Sequence, residues 1–92
     1  MHLQVRLNFE REFESHIDDM IRDLRMVLNA NDYAGDFTVY DNTEYAGEID
    51  EPAGIVSGEV IINVETSRPK GVLDDIIPTA QAYEIPSIEI DY

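Results

Sequence analysis

The sequence predicts an α+β fold in which two helices lie on one face of a four-stranded antiparallel sheet, and three observations carry that prediction. First, Leu3, Val5, Leu7 and Phe9 alternate with Gln4, Arg6 and Asn8, the period-two spacing of a half-buried strand. Second, Phe13, Ile17, Met20, Ile21, Leu24, Val27 and Leu28 recur at three- and four-residue steps, the apolar stripe of an amphipathic helix over residues 10–29. Third, the same change of period returns. Val60, Ile62 and Val64 alternate, Val72, Leu73, Ile76, Ile77 and Ala80 step helically, and Ile88 and Ile90 alternate again with Glu89 and Asp91. With a β-prone segment at Phe37 to Tyr40, the order is strand, helix, strand, strand, helix, strand. Two helices with one-sided apolarity close such a chain as a ferredoxin-like βαββαβ fold.

Each element has its own local cause. Glu10, Glu12 and Glu14 suit the positive end of the first helix, Arg22 and Arg25 suit its other end, and Asp18 with Arg22 makes an i,i+4 pair. Asn29-Ala30-Asn31-Asp32 supplies turn residues. The second strand bends or bulges at Asp41-Asn42 and resumes over Glu44 to Ile49, and Asp50-Glu51-Pro52-Ala53-Gly54 reads as a hairpin loop. Ile55 to Thr66 is the strongest strand, with Gly58 expected to mark a bulge near its start. Ile61 stands on the face opposite Val60, Ile62 and Val64, so that face is not wholly solvated. Ser67 is the expected N-cap of the second helix, two residues before Pro69. Pro78 removes a helical hydrogen bond and is expected to kink or stop that helix near Ile77. Pro86 opens the last strand.

Ninety-two residues suit a single domain spanning 1–92. Twenty Asp and Glu against six Lys and Arg give a net charge of −14. A field of that sign repels the nucleic-acid backbone and anionic membrane surfaces, so neither is an expected partner. It suits a solvated surface, cation binding, or mimicry of DNA by an inhibitor that occupies the basic groove of a partner protein. There is no cysteine, which excludes disulfides, thiolate zinc sites and cysteine nucleophiles. The start has no apolar signal-peptide core and no run approaches a membrane span, so a cytoplasmic location is expected. The sheet face away from the helices would be open in a monomer, and self-association is one remedy for that exposure.

Three segments carry a likeness to a known family. These are Tyr45-Ala46-Gly47-Glu48-Ile49, then Gly58-Glu59-Val60-Ile61-Ile62-Asn63-Val64-Glu65-Thr66, and, after a helix, Ala82-Tyr83-Glu84-Ile85-Pro86-Ser87-Ile88. Together they resemble the CutA family over about half the chain, most specifically at Tyr83-Glu84-Ile85-Pro86. The resemblance implies a ferredoxin-like fold, a homotrimer paired through the 37–66 hairpin, and a non-enzymatic binding or regulatory role linked to divalent-metal tolerance. It also implies a structural likeness to the PII signalling proteins, which bind nucleotides between subunits. Gln81-Ala82 stand where the family has His-Pro, and Glu65 stands where it has Lys. The family's imidazole at the position of Gln81 is therefore missing and the chain has no cysteine, so weak or no copper binding is expected.

Candidate site residues follow from chemistry and from that likeness. Glu48, Asp50 and Glu51 around the hairpin offer oxygen ligands to a hard cation. His2 and His16, far apart in sequence, make a weak metal pair. Arg68 and Lys70 form the one compact basic spot and would meet a nucleotide phosphate at a helix N-terminus in a PII-like trimer. Tyr40, Tyr45, Tyr83, Glu84 and Pro86 are the expected interface residues, the tyrosines because a ring can bury while its hydroxyl stays paired. No Ser-His-Asp arrangement and no glycine-rich phosphate loop is present. A protein partner for the acidic surface is the alternative to self-assembly.

Overall fold

The computed structural model describes residues 1–9, 16–42 and 58–92. Its elements are β1 (His2–Phe9), α1 (Ile17–Ala30), β2 (Phe37–Asp41), β3 (Gly58–Glu65), α2 (Pro69–Ala82) and β4 (Ser87–Asp91). The strands form one antiparallel sheet in the order β2-β3-β1-β4. This is the ferredoxin-like arrangement that the periodicities predict.

Alternation along each strand determines what the sheet buries. Leu3, Val5 and Leu7 of β1 stand opposite Val64, Ile62 and Val60 of β3. Val39 of β2 continues the Ile62 row, and Ile88 of β4 continues the Leu7 row. Ile17, Met20, Leu24 and Leu28 of α1 and Val72, Ile76 and Ala80 of α2 complete one core with these residues. Burial of these apolar surfaces is the main driving force, on the order of 1.5–3 kcal/mol for each large side chain.

The β1–β3 register runs without a break from His2–Glu65 to Phe9–Gly58. Gly58 therefore marks a close approach and not the expected bulge. A Cβ there would lie 2.1 Å from the Phe9 ring, so the ring occupies the space that a side chain on β3 would fill. Helix α1 keeps the predicted stripe from Ile17 onward; residues 10–15 lie outside the described residues, as do 43–57 with the expected hairpin loop. Arg22 turns toward Asp19 and Asp23, at 3.5 and 3.6 Å, and not toward Asp18.

Two expectations for α2 are corrected. The helix runs through Pro78 to Ala82, so Pro78 does not stop it near Ile77. Pro78 and Asp74, whose carbonyl loses its helical partner, are both exposed, so water can satisfy the freed carbonyl. Ser67 does not cap the helix; the N-cap position is Arg68, without a side-chain cap bond. Thr66, buried just before it, takes over the local bonding. Its hydroxyl donates to the Tyr33 carbonyl at 2.5 Å and accepts from the Arg68 N–H at 3.0 Å. Asn31 ties the other helix to the same corner, donating to the Gly71 carbonyl and to Asp75 at 3.1 and 2.7 Å.

Gly58→Ala should destabilise the fold by about 1–3 kcal/mol, because the buried Phe9 ring must move to admit a methyl group. Chemical denaturation measures this; an unchanged midpoint would show that Phe9 does not press on Gly58.

Candidate functional site

The sheet face away from the helices carries a polar ladder. The His2 ring nitrogens lie 3.1 Å from a Glu65 carboxylate oxygen and 3.0 Å from Asn63 Oδ1. Gln4 donates to the same Asn63 oxygen at 3.1 Å, and Arg6 donates to Gln4 at 3.3 Å. Within this ladder Ile61 is buried between Arg6 and Tyr40, its register partners on β1 and β2. Polar side chains bonded to one another thus cover the face that the sequence leaves open.

The strand edges are also occupied. Asn42 donates its N–H to the Glu59 carbonyl, and Glu65 donates to the Asp36 carbonyl. Even-numbered residues of β2 therefore face β3, and the Val39 carbonyl points outward. Arg25 of α1 donates to that carbonyl at 2.9 Å. An incoming strand would have to displace this guanidinium from the middle of the β2 edge. On the other edge, β4 presents Glu89 and Asp91, both exposed, whose charge opposes a like-charged neighbour.

The segment Tyr83-Glu84-Ile85-Pro86 is a helix stop built from four parts. Glu84 takes φ 58, the left-handed position past the end of α2. Its N–H bonds to the Gln81 carbonyl, and the Ile85 N–H reaches back to the Ala80 carbonyl at 3.3 Å. This is a Schellman closure, in which the residue after the left-handed one packs on the core. Ile85 does so, and Pro86 prevents continuation of the helix. Tyr83 pins the turn to α1 by donating its hydroxyl to the Asp23 carboxylate.

That bond raises the Tyr83 pKa above the ordinary tyrosine value. The hydrogen bond to Asp23 is the first cause, followed by partial burial and the negative charges of Asp23 and Asp19, with Arg22 acting the other way. Between the helices, beside this bond, lies an open groove of about 400 Å³ lined mainly by Asp23, Met26, Val27, Pro78, Ala82 and Tyr83. Sequence reading missed it as a site. Its available signal was Met26, an apolar residue off the buried stripe and 62% exposed.

The sequence-predicted site residues are not gathered in one place. Arg68 stands over the Tyr33 ring at 5.2 Å from its centroid, a cation–π contact, and Lys70 is exposed in the first turn of α2. Tyr40 lies on the polar sheet face, 43% exposed, whereas Tyr83, Glu84 and Pro86 end α2. Glu48, Asp50, Glu51 and Tyr45 lie outside the described residues. Among the described residues no group of three or more His, Asp or Glu is placed to hold a metal ion, and no helix is long and apolar enough to cross a membrane.

No family model matches the sequence, and no curated protein matches it. Among solved structures it is similar to the de novo designed protein Foldit4. The TM-score is 0.63 at 13% identity, over 98% of this chain and 91% of that one. The likeness is one of fold. A designed sequence sharing this fold illustrates why function must be argued from side chains and not from topology.

In a pH titration followed by tyrosine ring carbon NMR, Tyr83 should ionise above the ordinary tyrosine range, and Asp23→Asn should move it back down. A folded value above the unfolded one means that the contribution to stability is full below the unfolded value. It is lost as pH rises through the folded value. A Tyr83 titration unaffected by Asp23→Asn would contradict this.

Proposed function

We propose that this chain is a non-enzymatic binding protein that recognises a basic surface on a partner protein. One observation carries the reading: among the described residues, four of the five Lys and Arg side chains, though exposed, are engaged by groups of the same chain, whereas many carboxylates stand exposed. Arg22 lies beside Asp19 and Asp23, Arg25 holds the Val39 carbonyl, Arg6 holds Gln4, and Arg68 covers Tyr33. Asp18, Asp32, Asp36, Asp74, Glu84, Glu89 and Asp91 are exposed. The resulting field attracts cationic partners from a distance and repels nucleic acid and anionic membranes. A DNA-binding protein, whose groove is built for a polyanion, has the complementary chemistry.

A second reading is a CutA-like homotrimer acting as a regulatory protein. The strand order and the partly exposed Tyr40 beside Ile61 favour it, with Tyr45, Tyr83, Glu84 and Pro86 as the residues to examine at its interface. The occupied β2 edge and the polar sheet face weigh toward the first reading.

A panel of purified basic DNA-binding proteins, each bound to labelled duplex, tests the choice. The first reading expects at least one member to be released from DNA by this chain. That competition should weaken tenfold or more between about 50 and 500 mM salt, as charges become screened. No displacement from any member, together with a trimeric mass by light scattering, would overturn it in favour of the second.

A further inference from the structure

We infer that the groove between α1 and α2 is a docking site for a basic amphipathic helix of a partner protein. The inference rests on the reading of the chain as a binder of basic surfaces and names the place and the partner's shape. Three observations on this face support it.

The groove has an apolar floor that the fold itself does not use. Met26 is 62% exposed, and Pro78 and Ala82 are exposed beside it, although each could be polar at no cost to the core. The groove also runs between two antiparallel helices: Asn31 bonds Gly71 and Asp75 at one end of the pair, and Asp23 accepts from Tyr83 at the other. A third helix laid in such a groove presents residues at i, i+3, i+4 and i+7 to its floor. Methionine suits such a floor because its flexible thioether adapts to different side chains.

The charge around the groove selects the occupant. Asp19 and Asp23 lie on one side with Arg22 between them. On α2, Asp74 and Asp75 stand one turn before Pro78 and Thr79, on the same side of the helix by its geometry. A second copy of this chain would bring another net charge of −14 to the same place. A helix with an apolar stripe flanked by Lys and Arg meets both the floor and the rim.

The test uses a synthetic helical peptide with leucines at i, i+3, i+4 and i+7 and lysines elsewhere. Its controls are a scrambled peptide of the same composition and a twin with glutamate for lysine. At about 50 mM salt the first peptide should bind at least tenfold more tightly than either control. Amide NMR shifts should concentrate at residues 23–27 and 79–83. Met26→Asp and Ala82→Asp, both at exposed positions, should each weaken binding tenfold or more without changing the circular dichroism spectrum, whereas Met26→Leu should not. Equal binding of the amphipathic and scrambled peptides, or shifts spread over the polar sheet face, would overturn the groove while leaving the basic-surface reading in place. Failure of the peptide and of every basic protein in the panel would remove both.

Discussion

The rest of the structure depends on the continuous pairing of β1 with β3. Eight residue pairs, from His2–Glu65 to Phe9–Gly58, hold the two central strands in one register. Because side chains alternate, a slip of one residue would carry Leu3, Val5 and Leu7 to the solvent face and His2, Gln4 and Arg6 into the core. The register is guarded from both faces. Apolar rows interlock beneath the helices, and the His2–Asn63–Gln4 bonds link the same strands on the other side. The Phe9 ring over Gly58 closes one end by size, since no other residue at 58 leaves the ring its place.

From this pair the outer elements take their positions. Strand β2 extends the Val39 row, and β4 extends the row that holds Ile88. Thr66, at the exit of β3, is the one polar residue among the described residues that is buried, and its two hydrogen bonds set the entry to α2. Replacing such a group without a partner for what remains costs roughly 1–3 kcal/mol. The corner where Thr66, Tyr33, Asn31 and Gly71 meet is thus a second point at which local chemistry fixes the path of the chain.

Much of this is legible in the sequence because period alone separates strand from helix. The stripe from Ile17 to Leu28 and the alternation from Val60 to Val64 give the elements, their order and the fold class. What was misread depends on neighbours that are remote in sequence. Gly58 resembles a bulge until Phe9 is placed across from it. Pro78 resembles a stop until its exposure shows that the lost hydrogen bond faces water. The bond from the Tyr83 hydroxyl to Asp23, sixty positions away, could not be read from the sequence at all. The groove was least legible, because it requires both helices and announces itself only through Met26 on the wrong side of a stripe. The CutA-like segment at 83–86 has a sufficient local cause in the closure of α2, so it fits any chain that must end a helix and begin a strand there.

Native-state hydrogen exchange resolved by residue tests the central claim most directly. If the β1–β3 pair organises the fold, the bonded amides of Leu3 to Leu7 and of Val60 to Val64 exchange most slowly. They would open only with the whole molecule, while those of β2 and β4 open at lower free energy. Amides of β1 and β3 that exchange as fast as the edge strands, with α1 or α2 the most protected element, would contradict the account.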